Sequence, residues 1–501
     1  MAATRLDPRT PILVGGGQVN ERHGGREPVD LIAEAARLAA GEAGSAAGGA
    51  GLLGQLDSIR VVGMLSWRYR NAAALVAERL GAPVRHTGYT GTSGSTPQAL
   101  VNMAAEDIAA GRCDVVLVGG AEAWRTRMRL RAEGQRPDWT RQDESVTPHE
   151  LLIGDVPMAF DSHQRIGLDR PAYVYPLFEQ ALRIAAGRSG GDQRAMIGDL
   201  WARFSDVAAT NPHAWTQRSY PAEEIITPSP ANRWISWPYT KLLNSNNIVE
   251  QGAALLLCSV EAAERMGVPR DNWVFPHAGT QAHDSYDIGV RENLDRSPAI
   301  REAGAELLRL GETGIGDIKH VDLYSCFPSA VQVAAAELGL DAQDRARPLT
   351  VTGGLTFAGG PWSNYPTHAI ATMATRLRHD PGSTGLVTAN GGYLTKHAMG
   401  LYSTRPPARG YRHVDVQDRV DAYPTRPCLV EYEGPASIET WTVVFDRDGT
   451  PGRAMASVLT ADGVRAFAAT SEVGVVTAMT EEDVHNAKVS VARDGSFAFG
   501  E

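Results

Sequence analysis

Apolar positions along the chain fall into two spacings. PILVGGGQV, residues 11–19, is an apolar and glycine run of the kind that fills a buried strand, and it predicts a strand closing in a glycine turn. In PVDLIAEAARLAAGEAG the apolar residues Leu31, Ile32, Ala35 and Leu38 return at helical spacing. IRVVGML then reads as strand and NAAALVAERLG as helix. Residues 86–120, HTGYTGTSGSTPQALVNMAAEDIAAGRCDVVLVGG, give a short strand, a Gly/Ser/Thr turn, an amphipathic helix and a strand ending in Gly-Gly. EQGAALLLCSVEAAERMG repeats the strand-to-helix order. Such alternation predicts a layered α/β core.

From about Asp271 the pattern recurs. Ser95–Gly120 and Asn364–Gly392 both enter a helix through Pro, carry a Met-Ala pair, and pass a polar turn into a strand ending Gly-Gly. The match is loose and chance is its rival; taken as duplication, it gives two similar α/β halves. The helices starting near Ser95 and Pro366 are apolar around most of their circumference, which predicts that both lie between the sheets. Residues 121–245 break the rhythm. They are rich in Trp, Arg, Pro and His, hold one helix in an otherwise irregular stretch, and read as an insertion lying over a site. Beyond about Arg412, short strands meet at the Asp-Gly turns of RDGT and ADGV, and TEEDVHNA reads as a helix-entry turn. The expected organisation is a first half over 1–120 and 246–270, the insertion at 121–245, a second half at 271–410, and a small all-β, OB-like domain at 411–501. A chain shortened to about Arg409 is expected to stay soluble.

Composition narrows the function classes. At 501 residues the chain exceeds one hydrophobic core. A net charge of −10 argues against nucleic-acid binding. No apolar run reaches the ~20 residues of a membrane span, and MAATRLDPRTPILVGGG lacks a signal-peptide pattern, so a cytoplasmic address is expected. Cys113, Cys258, Cys326 and Cys428 lie far apart, which predicts neither a zinc site nor a disulfide framework. Gly15, Gly16 and Gly17 match neither a dinucleotide fingerprint nor a P-loop.

Four stretches within residues 8–405 resemble the thiolase superfamily: WPYTKLLNSNNIVEQGAALLLCS, HVDLYSCFPSAVQVAAAELGL, GGLTFAGGPWSNYPTHAIATM and ANGGYLTKHAMG. The resemblance is greatest to sterol-carrier-protein-type thiolases and to thiolase-like protein type 1, which carries an extra C-terminal domain. It implies a duplicated five-layered fold, acetyl-CoA acetyltransferase-like chemistry in lipid metabolism, and coenzyme A or acyl-CoA as a passing ligand with no permanent cofactor. A working thiolase uses a nucleophilic Cys at a helix start, an Asn or His beside an oxyanion hole, a Gly-His-Pro histidine and a second Cys for proton transfer. Those positions fall here on Gly94 (with Ser95 beside it), Tyr324, Gly360 and Ala389. All four lack the group the family's reaction needs, and a small shift at the first offers Thr92, Ser93 or Ser95 but no cysteine.

A serine replacing the cysteine needs a base. His397 and His368 are the candidates; the bland alternatives put His368 in solvent at a helix end and His397 on a strand leaving the site. Cys326 reads as a packing thiol, Phe327 and Pro328 as structural, and Tyr324 and Ser325 as pocket lining. Arg125, Arg127, Arg129 and Arg131 recur at period two, so on an extended segment they share one face. That face is either a solvated arm or a clamp for coenzyme A phosphates. Three functions stay open: an acyl-CoA-binding protein without the usual catalytic set, an acyltransferase with a displaced nucleophile, or an interaction protein docking partners through its tail. A monomer and a dimer are equally compatible with the sequence.

Overall fold

The structure is a computed structural model that describes residues 6–147 and 149–500. The first half runs β1 (Pro11–Asn20), α1 (Pro28–Ala43), α2 (Gly48–Leu53), β2 (Ser58–Val61), α3 (Ala72–Leu80), β3 (His86–Thr90), α4 (Thr96–Ala109) and β4 (Val115–Ala123). The insertion follows with α5 (Trp124–Ala132), β5 (Glu150–Ile153), α6 (Asp161–Gln164), α7 (Pro171–Ala185), α8 (Gly190–Thr210), α9 (Ala222–Ile226), β6 (Trp234–Ser236) and β7 (Tyr239–Thr240). β8 (Glu250–Ser259) and α10 (Val260–Arg265) close that half. The second half holds β9 (Phe275–His283), α11 (Pro298–Gly311), β10 (His320–Asp322), α12 (Pro328–Leu338), α13 (Gly354–Phe357), α14 (Tyr365–His379), β11 (Thr384–Gly391), β12 (Lys396–Ser403) and β13 (Arg412–Asp415). The tail comprises α15 (Gln417–Val420), β14 (Gly434–Phe445), β15 (Pro451–Leu459), β16 (Arg465–Thr470), α16 (Val473–Glu481), β17 (Lys488–Val491) and β18 (Phe497–Phe499).

Two sheets form the core, in the orders β1-β8-β4-β2-β3-β5 and β10-β11-β12-β9-β13. α4 and α14 each touch both sheets and each other, so they form the middle layer. α1 covers the outer face of the first sheet, and α11 covers the outer face of the second with α12 beside it. Five layers result, as the resemblance implies. Ten residues of α4 are buried, including Gln98 and Asn102, whose side chains bond each other at 2.8 Å.

The glycines of β1 make no turn. The strand continues through them to Asn20. A Cβ on Gly15 or Gly17 would stand 2.0 Å from Ala39 O or 1.9 Å from Ala35 O of α1, and one on Gly16 would stand 2.8 Å from Ala371 of α14. The run is glycine because two helices press the strand from opposite faces.

The insertion keeps long irregular stretches but holds two long helices, α7 and α8, where one was expected. The tail holds two helices, α15 and α16, in addition to its antiparallel strands. TEEDVHNA lies where α16 ends rather than where a helix begins. The tail sheet, β16-β15-β14-β17-β18, curls until Ala469 N donates to Gly495 O, 2.9 Å, between β16 and the start of β18. β13, at 412–415, pairs with β9 in the second core sheet.

The tail also borrows from the insertion. β6 pairs with β14 at Ser236 and Val444, and Trp237 N donates to Val443 O at 2.8 Å. Trp234 stacks on Phe445 at 5.6 Å. Arg183 of α7 holds Asp483 at 2.8 Å. Arg465, fully buried, pairs with Glu439 at 2.7 Å and donates to Gly289 O at 2.9 Å, which fixes the tail sheet to a loop of the second half.

Candidate functional site

The turn between β3 and α4 carries the first candidate position. A Cβ on Gly94 would lie 2.4 Å from the Tyr324 hydroxyl and 2.2 Å from Asn390 O. The tyrosine and the end of β11 thus fill the space a nucleophilic side chain would take. Ser93 and Ser95 are buried, and their hydroxyls bond each other at 2.8 Å. Ser95 is the N-cap of α4 without capping it through its side chain. Thr92 N, on the outer side of the turn, donates to Asp155 at 2.7 Å.

Tyr324 follows β10. Its N donates to Thr388 Oγ1 at 3.0 Å, and its ring meets Tyr365 of α14 edge-on at 5.5 Å. Tyr365 donates to Asp322, whose carboxyl burial pushes up to about 6 although Thr350 and Val351 also donate to it. The Ser325 hydroxyl is buried with no partner among the described residues. Gly360 N donates to Asn246 O at 2.9 Å, and a Cβ there would stand 2.7 Å from Asn247 Oδ1. The adjoining Trp362 meets Trp124 of the insertion at 5.3 Å.

Ala389 of β11 packs with Ala398 of β12 and Ala99 of α4. That contact decides the fate of His397. Ala389 pairs with Ala398 across the strands, and Asn390 pairs with His397. One residue along a strand is the opposite face. His397 therefore points away from Ala389 and Gly94, toward Ile300 of α11 and Ala330 and Ala334 of α12, with Nε2 3.5 Å from Asp284. The sheet stands between it and the serines, so it is no base for them. Asn390 faces the same way and donates to the hydroxyl of Tyr175, from α7, at 3.0 Å.

His368 is buried, not solvated. It bonds Gln18 at 2.9 Å, its Nε2 lacks a partner among the described residues, and burial pushes its pKa down to about 3. The arginine face does not exist either. Residues 124–132 are helix α5, and successive 100° steps place period-two residues far apart around it. Arg125 donates to Arg22 O at 2.9 Å, Arg127 to Ser66 O at 3.0 Å, and Arg129 to Glu133 at 3.2 Å. Arginine, methionine, leucine and alanine all favour helix, a signal that outweighs the period-two spacing.

The four cysteines are all shifted away from the thiolate. Burial pushes Cys113 up to about 11, Cys326 and Cys428 up to about 12, and Cys258 higher still. The void behind Tyr324 and Ala389, on the His397 side, is about 10 Å³, at the lower limit for one water. Cavities of about 130 and 350 Å³ lie elsewhere and are lined by none of Gly94, Tyr324, Gly360 and Ala389. Sequence reasoning missed three participants. Tyr175 and Asp284 carry no local signal, while Asp322 stood in plain view as an acid ending an apolar strand.

Two stacked sheets around paired middle helices, with the candidate site at the start of one of them, define a protein of the thiolase superfamily. A crystal structure of a monomeric SCP2-thiolase-like protein type 1 from Mycobacterium smegmatis superposes with a TM-score of 0.84, at 32% identity over 99% of this chain and 100% of that one. Residues 415–496 match the thiolase-like protein type 1 additional C-terminal domain. The chain belongs to the SCP2-thiolase-like type 1 family. It is also 25% identical over 271 residues to an acetyl-CoA acetyltransferase of Methanocaldococcus jannaschii; the match spans 53% of this chain and 60% of that protein. The dimeric peroxisomal thiolase of Saccharomyces cerevisiae shares the fold, with a TM-score of 0.55 at 15% identity, over 80% of this chain and 99% of that one.

Proposed function

We propose that this protein binds acyl-CoA on a thiolase scaffold and does not run the thiolase cycle. The observation that carries the reading is the contact between Tyr324 and Gly94. A tyrosine closes the place the resemblance gives the nucleophile, the other two catalytic positions are Gly360 and Ala389, and burial raises the pKa of all four cysteine thiols. Thiolysis needs a thiolate to take the acyl group and a second acid to protonate the departing carbanion. Groups that act as a unit fail together when lost. The family resemblance and the acetyltransferase relative support coenzyme A as the ligand class. The monomeric mycobacterial neighbour supports a monomer.

Calorimetry with coenzyme A and acetyl-CoA tests the binding. The expected outcome is a saturable heat with either ligand, and no acetyl-CoA formed from acetoacetyl-CoA plus coenzyme A. Ser95→Ala should leave that null result unchanged. Acetyl-CoA formation that disappears in Ser95→Ala or His397→Ala would favour an enzyme with a displaced nucleophile instead.

A further inference from the structure

Lysine is scarce in this chain: only Lys241, Lys319, Lys396 and Lys488 stand among 48 basic residues. Lys319 holds Asp380 at 2.7 Å and Lys488 bonds Ser437 at 2.9 Å. Lys396 is half-buried and has no ion-pair or hydrogen-bond partner among the described residues. Its position is specific. It opens β12 opposite Gly391, two residues before Ala398. Alternation puts its side chain on the face Ala398 presents to Ala99 of α4, opposite to the face of His397.

Ser93 approaches the same glycine pair. A Cβ on Gly391 would stand 1.9 Å from Ser93 Oγ, and one on Gly392 would stand 3.9 Å from Lys396 Cε. Serine and lysine therefore flank one glycine pair at the entry of the middle helix. Ser95 Oγ, 2.8 Å from Ser93 Oγ, extends the hydroxyl pair. Burial lowers the Lys396 pKa, and Asp155 at the surface opposes that shift. His283 is its cross-strand partner on β9. Arginine in the same place would keep its proton; lysine is able to give one up and take it back.

The geometry points to a serine–lysine acyl-transfer site, Ser93 with Lys396, acting on acyl thioesters. It rests on the acyl-CoA reading above and goes beyond it. Ser93 Oγ forms a bond to the thioester carbonyl carbon while its proton passes to the neutral amine of Lys396. The adduct expels the coenzyme A thiolate, which takes that proton and leaves as the thiol. Water attacks the seryl ester by the same route, releasing the acid and restoring the serine. The sum is acyl-CoA and water giving a carboxylic acid and coenzyme A, with nothing oxidised or reduced.

The test follows thiol release from acetyl-CoA by the full chain, with coenzyme A binding measured in parallel. Release above the uncatalysed rate is expected, falling by about a hundredfold or more in Ser93→Ala and Lys396→Met. Lys396→Arg should not rescue it, and coenzyme A affinity should stay within about twofold in all three variants. Intact-protein mass spectrometry should show one acetyl group, absent from Ser93→Ala. Coenzyme A binding without thiol release overturns the serine–lysine site alone. Absence of both overturns the acyl-CoA reading together with it. Release that persists in folded Ser93→Ala or Lys396→Arg also overturns the site.

Discussion

At the scale of single residues, close approach explains the candidate site better than missing chemistry does. Gly94→Cys, at the position the resemblance assigns to a nucleophile, forces a Cβ to within 2.2 Å of Asn390 O and 2.4 Å of the Tyr324 hydroxyl. Overpacking of that kind costs about 2–3 kcal/mol, so the variant should unfold at lower denaturant and still make no acetyl-CoA. Chemical denaturation and a product assay check both halves. His368 offers a second measurement. Its folded pKa, about 3, lies below the ordinary 6.5 because burial opposes the charge. A depressed value means that its contribution is whole above pH 6.5 and is lost as pH falls toward 3. Between pH 7 and pH 5 the native protein should therefore lose about 2 kcal/mol more stability than His368→Gln. Equal slopes in the two proteins would show that the ring takes up its proton without unfolding.

At the scale of elements, the tail and the insertion are not separable in the way their sequences suggest. A chain ending at Arg409 loses β13 from the edge of the second sheet, leaves Trp234 and Trp237 without β14, and strips Asp483 from the buried Arg183. The expected outcome is aggregation or a clear fall in melting temperature, read by soluble yield and thermal unfolding against the full chain. Apolar rhythm made the strand–helix alternation, both middle helices and the tail's hairpins legible, since local spacing alone sets those. It misjudged β1 because glycine next to a pressing helix looks, in sequence, like glycine in a turn. It placed His397 on a strand leaving the site as one of two readings but could not decide between them. Which face a residue takes depends on the pairing of Ala389 with Ala398, a contact no local pattern carries. The four candidate positions came from resemblance and not from any local pattern; the packing of Tyr324 onto Gly94 was not legible at all.

At the scale of the whole molecule, sheet edges govern association. β3 does not end the first sheet, because β5 from the insertion pairs beside it. The strand at that edge is thus four residues long with Glu150 and Leu151 exposed, a poor template for a second copy. Sedimentation should give a single species of 53.7 kDa across micromolar concentrations, and a concentration-dependent dimer would contradict this. The strand shared between insertion and tail has a further consequence, for the order in which the chain is made. Ser236 leaves the ribosome long before Val444, its partner. At ordinary rates of synthesis roughly ten to forty seconds separate them. Throughout that interval the Trp234–Trp237 corner has no sheet to lie against, and a first half otherwise ready to close waits, sticky and unfinished, for the last domain to arrive.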